Sequence, residues 1–380
     1  MPYQNSFSLL RDWLFTAAFP RSIDVGRDTI RGGFHERFAP DGCVIDDPRR
    51  ARVAARQIYV FAIAERMGWG DRARPALRHA LDFMDHHLAG TDGIAIPTVD
   101  ARGHPVKTGF DLYDQAFVLF GLAAAAAIGE RTSELRDTAR RLRDRMIAGW
   151  KHPHAGFEEA QPRTIPLKAN PHMHLLEAAL AWSAVDDDPT WVAMADEVAE
   201  LCLARFINPA NGALHEYYDG DWRFVDHAGL DVVEPGHQFE WAWLLISWGT
   251  SRNRINAITV ARRLVALAEE YGVSTTEQLA VNELNADLTV RDARLRLWPQ
   301  SERIKAHVAL AGIARDNTER HAAEVKVDLA TRGLLRFFDH PVDGSWWEHL
   351  DANGLPVSEP ARTSSLYHIT CAAAVMAGLN

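Results

Sequence analysis

The chain has 380 residues, 47% of them hydrophobic and 24% charged, an ordinary globular composition that supports a large core in one to three domains. Its formal net charge of -10 argues against nucleic acid, which needs a basic face to neutralise phosphates. Dispersed cysteines (Cys43, Cys202, Cys371), no leader-like start and no apolar run of about 18 residues predict a cytoplasmic protein with free thiols and no membrane contact.

Residues 6–18 read as a first amphipathic helix, followed by the glycine-led segment Gly33-Phe34-His35-Glu36-Arg37-Phe38 with a turn signal at Asp41-Gly42. In 72–89, Leu77, Leu81, Met84 and Leu88 form an apolar stripe at helical spacing, with Arg74, Arg78, Asp82 and Asp85 elsewhere. A second segment, Gly93-Ile94-Ala95-Ile96-Pro97-Thr98, precedes 116–128, which is apolar nearly all round and so must be buried on every side. The alternation continues with an amphipathic helix over 133–149, whose basic run from Arg136 to Arg145 reads as a solvated face. Gly156-Phe157-Glu158-Glu159 comes next, then an amphipathic helix over 189–206 and Gly212-Ala213-Leu214-His215-Glu216-Tyr217. Apolar 244–248, amphipathic 255–271 and 319–337, Gly344-Ser345-Trp346-Trp347-Glu348-His349 and apolar 369–379 complete the chain.

The glycine-led starts recur roughly every 60 residues, with one gap about twice as long. A copy lacking its glycine is therefore expected near residue 285, at Leu284-Asn285-Ala286-Asp287-Leu288-Thr289-Val290. Six buried helices alternating with six half-buried ones close naturally into two concentric rings. The predicted fold is all-α: one (α/α)6-barrel domain over 1–380, with six inner and six outer helices and short β-hairpins at one end.

Polar residues that packing does not explain fall at the starts of the inner helices: Arg52 and Arg56; Asp111, Tyr113, Asp114 and Gln115; Asn170, His172 and His174; His237 and Glu240; Trp298 and Glu302; Tyr367 and His368. All these starts are expected to point to one end of the barrel and so to line a common funnel suited to a small molecule. Tyr113, Trp298 and Trp346 would stack on a sugar ring. His237 and Glu240 are three residues apart on one helical face, so the carboxylate is expected to orient the imidazole. His368 occupies a similar position, and two such histidines suggest acid/base chemistry.

Plainer readings stand beside these. His172 and His174 diverge on a helix, so at most one faces the funnel. Arg56 pairing with Asp114 or Glu240 is as good a reading as substrate contact. His35, His79, His86, His87, His104 and His349 read as surface residues. A metal held by His237, Glu240 and His368 is conceivable, but no close-spaced ligand signature such as HExxH is present, so neither metal nor cofactor is expected. Asp114 and Glu302 would be the carboxylate pair of an inverting glycosidase, and a non-catalytic sugar-binding module would need the aromatics alone.

Six segments in order resemble the N-acylglucosamine 2-epimerase superfamily, which includes cellobiose 2-epimerases and mannose isomerases, over nearly the whole chain. They are Ala55-Arg56-Gln57; Asp111-Leu112-Tyr113-Asp114-Gln115-Ala116-Phe117; Asn170-Pro171-His172-Met173-His174-Leu175-Leu176-Glu177; Gly236-His237-Gln238-Phe239-Glu240-Trp241; Leu297-Trp298-Pro299-Gln300-Ser301-Glu302; and Leu366-Tyr367-His368. The resemblance implies metal-independent proton transfer at C1 and C2 of an opened sugar. It gives His237 and His368 the acid/base roles, His174 and Glu240 assisting ones, and Arg56 the substrate near the reacting carbons. Tyr113, Asp114, Asn170, Trp298 and Glu302 are the expected substrate-binding residues. Trp241 after Glu240 resembles the mannose isomerase branch, whereas Ala242-Trp243-Leu244-Leu245 departs from it. The expected activity is interconversion of unphosphorylated D-mannose and D-fructose through a cis-enediol, with sugar 2-epimerisation as the alternative. The expected partner is a monosaccharide, with room for a homo-oligomer.

Overall fold

Twelve helices of ten residues or more run through the described residues, 1–225 and 229–379, of the computed structural model. In chain order they are α1 (Gln4–Trp13), α2 (Ala51–Arg66), α3 (Ala73–Phe83), α4 (Leu112–Ala127), α5 (Thr132–Trp150) and α6 (Ala169–Ser183). The second half comprises α7 (Pro189–Leu201), α8 (Pro235–Ser251), α9 (Ile255–Tyr271), α10 (Leu297–Gly312), α11 (Asn317–Leu335) and α12 (Ser365–Met376). The even-numbered helices pack side by side in sequence, and α12 closes on α2. Helices α3, α5, α7, α9 and α11 each lie outside the inner helix they follow, and α1 lies against α11 and α12. This is the (α/α)6 barrel that the alternation predicts. Among the described residues no helix is long and apolar enough to cross a membrane.

Burial follows composition. Along α4 nearly every side chain from Leu112 to Ala126 is buried, and Gly121 brings the chain so close to α2 that a Cβ there would sit 2.7 Å from Ala55 O. On α3 the stripe Ala73, Ala76, Leu77, Ala80 and Leu81, with Phe83, is buried, while Arg74 and Arg78 pair with Glu130 nearer the surface. The outer helices α1, α3 and α7 end in π-type turns, Leu14–Ala18, Met84–Leu88 and Cys202–Phe206, so the predicted helical stretches keep their length but change winding.

The repeat is real, with one correction. Gly33, Gly93, Gly156, Gly212 and Gly344 all adopt left-handed backbone, and Gln278 (φ 58°) does so in the remaining copy. That copy therefore begins at Gln278, ahead of the expected 284–290. The expected stretch instead forms the turn of a long hairpin, Val281–Asn285 with Val290–Arg296, in a four-stranded antiparallel sheet completed by Val232–Val233 and His349–Leu350.

Two sets of bonds fix the inner helices at one end. Five of the six repeat segments accept a backbone bond from the start of an inner helix or the residues just before it: Pro97 O from Ala51 N (3.0 Å), Glu159 O from Leu112 N (3.0 Å), Glu216 O from Ala169 N (3.1 Å), Glu348 O from Leu297 N (3.0 Å), Glu36 O from Thr363 N (3.0 Å). Helix α8 begins with Pro235, which has no N–H to give. From inside, the side-chain amides of Gln115, Gln238 and Gln300 bond both backbone groups of Ala95, Leu214 and Ala280. His172 takes that place in α6, its Nε2 accepting from Phe157 N at 3.1 Å. The first turns of all six inner helices consequently face one funnel.

Candidate active site

The funnel is a cavity of about 1160 Å³ whose wall includes Arg56, Tyr113, Asn170, His174, His237, Glu240, Trp298 and His368. Trp298 ties the two acid/base candidates together: its ring centroid lies 5.0 Å from that of His237 and 5.5 Å from that of His368. An apolar ring flanked by two imidazoles can carry one face of a sugar chain while proton donors and acceptors work at its edges.

The surroundings of the two histidines differ. His368 Nδ1 bonds Glu302 Oε1 at 2.8 Å. Burial and the positive charges of Arg56 and Lys305 hold its pKa well below the usual value, so the ring is neutral. With Nδ1–H donated to Glu302, its Nε2 is a free base. His237 is also buried, which alone would discharge it. Its Nδ1, however, lies 2.9 Å from Glu216 Oε2 and 3.8 Å from Glu234 Oε1, and these carboxylates, with Glu240, raise its pKa to about 10. One histidine is poised as a base and the other as an acid.

The carboxylate beside His237 is thus Glu216, and the expected partner Glu240 is not. Both His237 and Glu240 leave one face of α8, but His237 reaches the rim loop carrying Glu216, while Glu240 reaches Lys305, its Oε1 3.8 Å from Nζ. Among the described residues neither oxygen of the buried Glu240 has a hydrogen-bond partner, and burial together with the charges of Glu302 and Glu177 raises its pKa well above the carboxylate range. Glu240 opens on the cavity beside these groups.

Behind this layer lies a second set of buried groups. Lys305 Nζ is 2.6 Å from Glu302 Oε2 and 3.9 Å from the ring centre of Trp243. Burial alone would lower its pKa, yet the surrounding acidic side chains, Cys371, Glu302, Glu240 and Glu177, keep it charged. Glu177 accepts from Tyr367 Oη at 2.7 Å and holds His174 Nδ1 at 3.1 Å. Burial lowers the pKa of His174 to about 4. Arg56 pairs with neither Asp114 nor Glu240. Its Nη2 donates to Tyr113 Oη at 2.8 Å, its Cζ sits 4.0 Å from the ring centre of Phe117, and its Nε is unsatisfied.

Two expected substrate-binding residues do not line the cavity. Asp114 turns onto Arg52, accepting from its backbone N–H (3.0 Å) and its guanidinium (2.9 Å), because a carboxylate in the first turn of α4 meets the first turn of α2. Glu302 is spent between His368 and Lys305. The two-carboxylate glycosidase arrangement loses both its members with them. Trp346 is likewise core, edge-on to Trp13 and Phe38, and its Nε1 donates to Glu348. His35 and His349 are buried beside Arg49 and Glu359, not exposed.

Three groups of described residues bring potential ligand atoms within 4.8 Å of one another: His174, Glu177 and Glu240; Glu216, Glu234 and His237; Glu240, Glu302 and His368. The trio picked out in the sequence, His237, Glu240 and His368, is not among them. Internal cations already serve these groups: the Lys305 ammonium sits against Glu302, and the His237 imidazolium lies between Glu216 and Glu234.

Sequence reasoning missed Glu216, Glu234 and Lys305. A signal for Glu216 was present, since Glu36, Glu159, Glu216 and Glu348 recur near the ends of the glycine-led segments. Lys305 betrayed itself only as a charge on a helix otherwise read as buried.

Comparison with known proteins agrees with this architecture. The family model described as N-acylglucosamine 2-epimerase (GlcNAc 2-epimerase) matches residues 32–372. A Rhizobium meliloti (strain 1021) protein named "Mannose-6-phosphate isomerase" is 40% identical over 366 residues, covering 96% of this chain and 94% of that one. A crystal structure of D-mannose isomerase superposes with TM-score 0.87 at 21% identity, covering 98% of both chains. Cellobiose 2-epimerase from Bacillus thermoamylovorans B4167 also gives 0.87, at 18% identity, covering 98% of this chain and 99% of its own.

Proposed function

The chain belongs to the N-acylglucosamine 2-epimerase family, and on that premise we propose that it is an aldose–ketose isomerase interconverting D-mannose and D-fructose, or a similar pair. The name of the Rhizobium meliloti relative brings the 6-phosphate esters into that pair. The observation that carries the reading is the placement of two histidines on one indole in opposite surroundings, His237 against Glu216 and Glu234 and His368 held through Nδ1 by Glu302 near Lys305.

With the sugar opened over Trp298, neutral His368 takes the C2 proton while the His237 imidazolium gives a proton to the carbonyl oxygen O1. The product is a cis-enediol. His368 then returns its proton to C1, and His237 recovers one from the C2 hydroxyl, leaving the ketose and both histidines in their starting states. Arg56 stabilises charge developing on O1 and O2, and Asn170, whose buried Oδ1 is unpaired, offers an acceptor to a sugar hydroxyl. General acid–base transfer of this kind contributes about 10²–10⁴-fold. No step draws on a metal.

2-Epimerisation needs the same groups, with reprotonation at C2 from the opposite face. Trp241 does not arbitrate by touching the sugar, because it is fully buried against Phe206. Incubation with mannose in D₂O, followed by NMR, separates the two. Fructose as the first product supports the isomerase. Early C2-deuterated glucose with negligible fructose would replace it with an epimerase.

A further inference from the structure

Building on the isomerase reading, we infer that the funnel carries a phosphate subsite formed by Arg296 and Arg362, and that the preferred substrate is a sugar phosphorylated at the end remote from its carbonyl. Of the eight arginine and lysine side chains on the funnel wall, four are committed to carboxylates: Arg37 to Asp47, Arg50 to Glu36, Arg52 to Asp114 and Lys107 to Asp111. Arg56 donates to Tyr113 beside the histidines, and Lys168 stands elsewhere on the ring, before α6. Arg296 and Arg362 line the same wall and form no ion pair among the described residues. Among the described residues the buried Nε of Arg296 has no hydrogen-bond partner, and its Nη1 reaches only Asn282 Oδ1 at 3.5 Å. The Arg362 side chain makes no hydrogen bond among the described residues; its backbone N–H donates to Glu348 Oε1 at 2.8 Å and its strand pairs with Arg37.

The two residues spring from one corner of the barrel. Arg296 is paired across the sheet with His349, and Glu348, next in the chain, holds the Arg362 backbone. They precede adjacent inner helices, α10 and α12. Arg296 Cζ lies 5.6 Å from the centre of the Trp298 ring, the indole that also faces His237 and His368. A hexose lying along that indole, with C1 and C2 at the histidines, would place its far end at this corner if it runs toward Arg296, the orientation the subsite requires. Two uncommitted guanidinium groups match a phosphate dianion in charge and in bidentate geometry, whereas a hydroxyl would leave both unanswered. The cavity of about 1160 Å³ has room for the ester.

The test compares D-mannose with D-mannose 6-phosphate in steady-state kinetics, alongside calorimetric titration with inorganic phosphate and with the phosphosugar. Wild-type protein should show kcat/KM higher for the phosphosugar by about tenfold or more, and R296Q and R362Q should each collapse that ratio toward one. A wild-type ratio at or below one, or variants that lower both sugars equally, overturns the subsite. If neither sugar is converted, the isomerase reading has failed and titration still decides the subsite. Mannose 6-phosphate binding that weakens about tenfold in R296Q and R362Q sustains it. Binding equal to wild type, or inorganic phosphate bound as tightly as the ester, refutes it.

Discussion

Glu302 and His368 are joined by a 2.8 Å hydrogen bond that spans 66 residues of chain and links neighbouring inner helices. The bond fixes which nitrogen of the base is free, because Glu302 as an acceptor keeps the proton on Nδ1. In E302Q the amide can present either its oxygen or its NH₂ group, and the tautomer is no longer imposed. Turnover should drop by about 10²-fold with little change in KM. Unchanged turnover in folded E302Q would mean that His368 is not the base.

The second prediction concerns pH. The depressed pKa of His368 places the acid limb of kcat well below the ordinary histidine range, and the raised pKa of His237 places the basic limb near 10, so the plateau between should be broad. Replacing Glu216 with Gln removes the largest carboxylate contribution at His237, and the basic limb should shift toward lower pH with the acid limb in place. A basic limb that ignores E216Q would separate His237 from the rate.

Stability follows the same linkage. The pKa of His237 is raised on folding, so its contribution is full below about 6.5 and is lost as pH rises through about 10. That of His368 is depressed, and its share is present above about 6.5 and lost as pH falls. Denaturation midpoints of E216Q and wild type, taken at pH 6 and pH 10, should therefore differ more at the lower pH.

His172 should be replaceable by glutamine. Gln115, Gln238 and Gln300 make the equivalent loop clamps in other inner helices. H172Q should keep its melting temperature and activity, whereas H172A leaves the Phe157 N–H unpaired and should cost about 1–3 kcal/mol. An inactive but stable H172Q would place this residue in the chemistry instead.

Lys305→Met should destabilise the protein by about 3–5 kcal/mol, since Glu302 and Glu240 would lose their buried cation. The residual activity should show an altered pH profile, because the charge of Lys305 helps hold His368 neutral. A stable variant with the wild-type profile would show that these carboxylates do not depend on it.

Exhaustive EDTA treatment should leave turnover intact, with the internal cations Lys305 and His237 already serving the carboxylate groups. Loss of activity that one divalent ion restores would require a metal step.

The sequence by itself determined the alternation of buried and half-buried helices, because hydrophobic periodicity is a local property that survives without coordinates. It also determined that His237, His174, Arg56 and His368 stand at helix starts facing one end, since each glycine-led segment sets the chain's return to that end. Pairing was another matter. Glu216 reaches His237 from a loop, Glu302 reaches His368 from the next helix, and Asp114 is taken by Arg52 across two helices. The protonation states follow from those contacts and from burial in a low-dielectric interior, which only ring closure creates. Even the missing repeat obeys the same division. Its spacing was visible, but its start at Gln278 depends on a left-handed residue whose side chain gives no sign of it.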